Sequence, residues 1–165
     1  MQLGSTAQNA AINAPGSLLL VKRPLSANQP VIVLFDGSPP AVQALKAATR
    51  FVGALQSRLT VFLLPDSPQN VKSLASQAIH HMKGKEVKAD FRPIFAADTL
   101  QLADAIESED GGLLVLGRQY KHLTEKEVQN LVRLVSNPVL LLRQPAAGRN
   151  ISGEKQDQIV GESSG

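Results

Sequence analysis

The stretch Val31-Ile32-Val33-Leu34-Phe35-Asp36-Gly37-Ser38-Pro39-Pro40 decides the fold. Its first five residues are apolar without alternation, the pattern of a strand covered on both faces, as in a parallel sheet. Asp36, Gly37 and Ser38 then turn the chain, and Ser38 is placed to cap a helix whose first turn tolerates Pro39 and Pro40. Val42, Leu45, Ala48 and Val52 recur at helical spacing and give that helix one apolar face.

The same strand, turn and helix recur downstream. Leu59 to Leu64 reads as a second strand stopped by Pro65, and Ser67 with Pro68 starts a helix carrying Val71, Leu74, Ala78, Ile79 and Met82 on one side until Gly84 ends it. A third strand, about Val87 to Phe95, is more polar and contains Pro93. A sheet edge suits it, because a missing N–H does little harm there. Asp98 caps a helix with Ala103 and Ile106 inward, and Gly111 and Gly112 lead into a fourth strand, Leu113 to Leu116. Thr124 and Glu127 form a capping box ahead of Val128, Leu131, Val132 and Val135, after which Asn137 and Pro138 break into a fifth strand, Val139 to Leu142. The pattern predicts an α/β fold: five parallel strands and four right-handed crossover helices in a doubly wound, Rossmann-like sheet spanning residues 31–144. Residues 145–165 carry Gly, Ser, Gln and charge with little apolar content, the composition of a disordered tail.

The start of the chain repeats its end. Ser17-Leu18-Leu19-Leu20-Val21-Lys22-Arg23-Pro24 aligns with Pro138-Val139-Leu140-Leu141-Leu142-Arg143-Gln144-Pro145, two apolar strands each followed by a basic residue and a proline. Residues 1–24 therefore read as the last helix turn and strand of a preceding copy, joined by a linker at 25–30 to a complete one. A strand needs partners for its backbone groups, so an extra N-terminal edge strand, Leu18, Leu19, Leu20 and Val21, is expected beside Val139, Leu140, Leu141 and Leu142, in this chain or in a partner. That edge is the expected interface of a homodimer or a tandem copy.

Composition narrows the function classes. The 165 residues are 43% hydrophobic in short runs, far below the roughly 20 consecutive apolar residues of a membrane span. Residues 1–17 lack the basic start and apolar centre of a secretory signal and there is no Cys, so the cytoplasm is expected. The net charge of +3 comes from dispersed Lys and Arg, and aromatics are only 4%, too few for a base-stacking platform; nucleic acid is not an expected partner.

The motifs, taken in order, resemble the universal stress protein family. Val31 to Ser38 resembles that family's opening strand ending in Asp-Gly-Ser, Gly112-Leu113-Leu114-Val115-Leu116-Gly117 its fourth strand, and Asn137 to Arg143 its closing strand, over residues 30–144 in all. Members that bind ATP carry Gly-x2-Gly-x9-Gly-Ser/Thr after the fourth strand, because glycines let backbone N–H groups approach phosphate oxygens at a helix N-terminus. Here Gly117 matches the first glycine, but Tyr120 stands at the second and Asn130 at the third; counted back from Pro138, Glu125 and Lys126 replace the Gly-Ser pair. The Tyr ring takes phosphate space and Glu125 would repel phosphate charge. The resemblance thus implies a non-enzymatic stress-response or regulatory domain with no cofactor, ATP being the disfavoured ligand. The alternative is a nucleotide-binding switch in which Asp36, matching the family position near the nucleoside, works with Gly117 and with the cations Arg118, Lys121 and His122. Gly4-Ser5 falls at the Gly-Ser place of the N-terminal remnant, where Ser5 reads as a plain helix cap.

Catalytic constellations are absent from the pattern. There is no Gly-x-Ser-x-Gly elbow, P-loop or His-Glu-x-x-His motif. His80 and His81 are adjacent, with side chains about 100° apart on a helix, and read as helix-end surface residues, not as metal ligands. Asp36, Asp66 and Asp98 follow successive strands, near the carboxyl ends where open α/β sheets bind ligands, yet each also suits a turn or cap. Glu107, Glu109 and Asp110 read as a solvated helix end.

Overall fold

The computed structural model describes residues 17–24, 28–95, 98–109 and 112–142. Its strands are β1 (Leu18–Leu20), β2 (Val31–Phe35), β3 (Leu59–Leu63), β4 (Ala89–Pro93), β5 (Leu114–Leu116) and β6 (Val139–Leu141); its helices are α1 (Pro39–Leu55), α2 (Val71–His81), α3 (Thr99–Ser108) and α4 (Glu125–Leu134). They form one sheet in the order β1-β6-β5-β2-β3-β4. β2 to β6 run parallel, and β1 joins antiparallel to β6. The α/β architecture and the extra edge strand expected above are both present. The expected N-terminal helix turn with Gly4-Ser5, residues 25–27 of the linker and the tail lie outside the described residues.

The uninterrupted apolar strands sit where their composition requires. Every residue of β2, β3, β5 and β6 is buried. Crossover connections, right-handed by the general rule for parallel strands, carry the chain from β2 through α1, β3 and α2 to β4, then back through α3, β5 and α4 to β6. The reversal puts α1 and α2, which touch, on one face and α3 and α4, which also touch, on the other. It also puts a topological switch point between β2 and β5, the place where open α/β sheets as a rule form a ligand crevice at the strands' carboxyl ends.

Local sequence rules set the boundaries. The Asp98 carboxylate accepts from the Gln101 N–H at 2.9 Å and starts α3, while Thr124 and Glu127 complete a reciprocal capping box on α4. β4 is an edge strand, half-buried, and ends on Pro93. Three expectations need correction. Pro68–Asn70 makes a 3-10 turn before α2 proper, since the proline and the short turn do not continue into the α ladder. Ile79 is 54% exposed: Leu74, Ala78 and Met82 own the buried face, and position 79 lies one step of rotation beyond it. Ser38 occupies the N-cap position of α1, but its side chain makes no cap bond and turns back to Asp36.

Candidate functional site

The turn after β2 needs Gly37, whose φ of +86° is a left-handed conformation that L side chains adopt at a cost. It aims Asp36, 3% exposed, at the switch-point crevice. Both carboxylate oxygens are engaged there. Oδ1 accepts from the Ser38 N–H at 2.9 Å and the Ser38 hydroxyl at 2.5 Å, and Oδ2 accepts from the Lys121 N–H at 2.6 Å. Asp36 therefore pins the loop after β5 down onto the turn after β2.

That loop is closed from inside as well. Tyr120 and Leu123 form an isolated antiparallel bridge with bonds of 2.9 and 3.3 Å. The Tyr120 ring is folded inward, 5% exposed, and its hydroxyl accepts from the Gly117 N–H at 3.0 Å. Burial pushes the Tyr120 phenol above its ordinary value, against the lowering effect of the Gly117 bond and with a smaller push from the Asp36 charge, so it stays neutral at physiological pH. Gly117 faces the N-terminal turn of α1: a Cβ there would meet the Pro40 carbonyl oxygen at 2.8 Å. The glycine is demanded by close backbone approach to Pro40.

Asp66, after β3, reaches the same loop. His122 Nε2 lies 2.8 Å from Asp66 Oδ1, and Lys121 Nζ lies 3.9 Å from Oδ2. The hydrogen bond from His122 holds the Asp66 carboxyl below its ordinary value against the opposing effect of desolvation, with weaker help from the Lys121 and His122 charges. Of the three strand-end carboxylates, Asp36 and Asp66 thus meet on the Tyr120 loop, while Asp98 serves α3. The N-terminus of α4 is filled by its own Thr124 and Glu127.

Among the other residues singled out by sequence, Arg118 is half-buried and its Nε has no hydrogen-bond partner among the described residues. His81 is half-buried against Phe35, ring centroids 6.3 Å apart, and burial lowers its basicity; it is not a plain surface residue. Glu107 accepts from the Ser136 hydroxyl and Glu109 pairs with Arg92, so this helix end is tied to its neighbours. No group of three or more His, Asp or Glu positioned for a metal occurs among the described residues. At the far edge, Leu18 pairs with Leu141, Leu19 with Leu140 and Leu20 with Val139. The pairing is within this chain, one of the two arrangements expected. Sequence reasoning missed what Lys22 does: its Nζ donates to the carbonyls of Val132 and Val135 at the C-terminal end of α4, the latter at 2.7 Å. Lysine two residues after a strand carries no local signal for this, since the partners are more than 100 residues away.

No protein-family model matches the chain, and no curated protein matches it either. Solved structures do. A universal stress protein in complex with cAMP superposes with a TM-score of 0.60 at 22% identity, over 71% of this chain and 98% of that one. The fold is that of the universal stress proteins. A universal stress protein family member from Burkholderia pseudomallei matches at TM-score 0.51 and 23% identity, over 74% of this chain and 100% of its own. One from Arabidopsis thaliana with AMP bound matches at 0.53 and 14%, over 74% and 96%. Within this fold, the carboxyl ends of β2 and β5 in this chain are occupied by Asp36, Gly117 and Tyr120, joined through the Gly117–Tyr120 and Lys121–Asp36 hydrogen bonds. No helix among the described residues is long and apolar enough to cross a membrane.

Proposed function

We propose that the chain is a non-enzymatic, cytoplasmic stress-response or regulatory domain of the universal stress protein type that has given up tight nucleotide binding and works by association along its β6 edge, as a homodimer or in tandem. The observation that carries the first part is the sealed crevice. The Gly117 N–H, a donor suited to a phosphate oxygen, is taken by the Tyr120 hydroxyl, and both Asp36 oxygens are taken by Ser38 and Lys121. A nucleotide entering here would have to break those buried bonds, each about 1 kcal/mol or more, and expel a buried ring. The capping box at α4 likewise gives the helix N-terminus to a resident carboxylate in place of a phosphate.

One observation favours the competing nucleotide switch. The buried Arg118 Nε without a partner beside Gly117 is a donor that an anion would satisfy. Calorimetry separates the two, with ATP, AMP and cAMP, with and without magnesium, at protein concentrations that detect a dissociation constant up to about 1 mM. No heat from any of them supports the sealed domain. Micromolar binding that is lost in Arg118→Ala or Lys121→Ala establishes the switch.

A further inference from the structure

The β1–β6 pairing has a symmetry that neither strand shows alone. In the sequence repeat, Leu18, Leu19 and Leu20 occupy the places of Val139, Leu140 and Leu141. In the sheet, Leu18 faces Leu141, Leu19 faces Leu140 and Leu20 faces Val139. Exchanging each residue for its repeat equivalent returns the same three pairs. The two strands are therefore related by a local two-fold axis through Leu19 and Leu140, the arrangement that two copies of β6 would have in an isologous antiparallel dimer. The register is independent of the alignment, and a slip of one residue would destroy the symmetry.

Backbone direction agrees. The Leu142 N–H donates to the Leu116 carbonyl and the Pro138 carbonyl accepts from the Leu114 N–H, so the even-numbered residues of this stretch bond to β5. Alternation along a strand then turns the N–H and C=O of Val139 and Leu141 outward, where Leu20 and Leu18 meet them, and leaves Leu19 opposite Leu140 as the non-bonded centre. A second β6 would present the same groups at the same places. The N-terminal strand also brings an anchor of its own, Lys22, on the C-terminal carbonyls of α4.

We infer that β1 is a built-in substitute for the β6 of a second copy: it closes a self-complementary edge within one chain, and displacing it lets two chains pair through β6, Leu140 against Leu140. The inference rests on the association reading above, whose two-chain form it confines to the state with β1 displaced, and is independent of the sealed crevice. Without β1, the outward groups of Val139 and Leu141 are unpaired beside a fully buried strand, an edge that seeks another strand.

The test uses the intact chain with a protease site placed at residues 25–27, cleaved after folding, so that refolding plays no part. Residues 1–24 are removed from the nicked protein by gel filtration and mass is read by light scattering at about 100 μM, sensitive to micromolar self-association. The intact chain is expected at its monomer mass of 17.6 kDa, the stripped chain at twice the mass of its own 28–165 fragment, and a synthetic peptide of residues 16–24 is expected to return it to monomer while the Leu20→Pro peptide does not. A stripped chain that stays monomeric with unchanged circular dichroism overturns the inference. So does an intact chain that is already a dimer, or a larger assembly that the peptide does not dissolve. Nucleotide binding in the calorimeter would sink the sealed-domain reading and leave these masses unchanged, so the two failures are distinct.

Discussion

Replacing Tyr120 by Phe keeps the ring that fills the crevice and removes one atom, the oxygen that accepts from the Gly117 N–H at 3.0 Å. Gly117 is buried, so in the variant this N–H has neither protein nor water to bond. A buried donor left unsatisfied costs about 1–3 kcal/mol, more than the net worth of the lost bond. Tyr120→Phe should therefore lower the urea midpoint by that free energy with an unchanged m-value, and lower the melting temperature by roughly 3–10 °C for a domain of this size. The Gly117 amide should exchange with solvent faster, by more than the global loss of stability accounts for. An alkaline signature accompanies it. Burial raises the folded-state pKa of this phenol above its ordinary 10.0, so its contribution is fully present below pH 10.0 and is lost as pH rises through the folded value. Wild type should lose stability from pH 10.0 upward, as far as the folded value, in excess of Tyr120→Phe. A variant within about 0.5 kcal/mol of wild type, with the same alkaline limb, would show that the phenol is only a space filler and refute a stabilising role for the Gly117–Tyr120 hydrogen bond.

Gly117→Ala should destabilise by about 1–3 kcal/mol in chemical denaturation, because its Cβ would lie 2.8 Å from the Pro40 carbonyl oxygen and the first turn of α1 must move. A neutral result would mean that the β5 end is not held against α1. Asp66→Asn should abolish an acid-dependent part of loop closure: the carboxyl is held below its ordinary 3.8, chiefly by His122, so its contribution is present above pH 3.8 and is lost as pH falls through the lowered value. The exchange rate of the Lys121 amide against pH reports this, and added salt should shrink the difference. Lys22→Met should leave the core intact but speed exchange of the Val139 and Leu141 amides, since the anchor on the α4 carbonyls is gone; unchanged protection there would assign Lys22 to the solvent.

Much of the architecture was legible because it rests on short-range rules. Five apolar residues in a row at Val31 to Phe35 suit few places other than a strand covered on both sides. Asp98 and the Thr124–Glu127 pair announce helix starts within four residues. Ile79 was misplaced because apolar character and helical spacing agree at that position, and only the location of the sheet decides which of two adjacent stripes is covered. The site was half legible. Tyr120 and Glu125 at glycine places of the resembled phosphate motif were visible as a list of residues, yet the contacts that close the loop join positions far apart: hydrogen bonds between Lys121 and Asp36 and between His122 and Asp66, and the close backbone approach of Gly117 to Pro40.

By itself the sequence determined the period of each element, the strand–helix alternation and the likeness in sequence of residues 18–21 to residues 139–142, because propensity, caps and hydrophobic pattern act within a few residues. The tertiary structure decided the direction and register of β1 on β6, the inward turn of Tyr120 and the contact of Lys22 with α4. Those depend on which distant backbone groups are left without partners once the sheet has closed, and a buried polar group accepts whichever partner the fold brings to it.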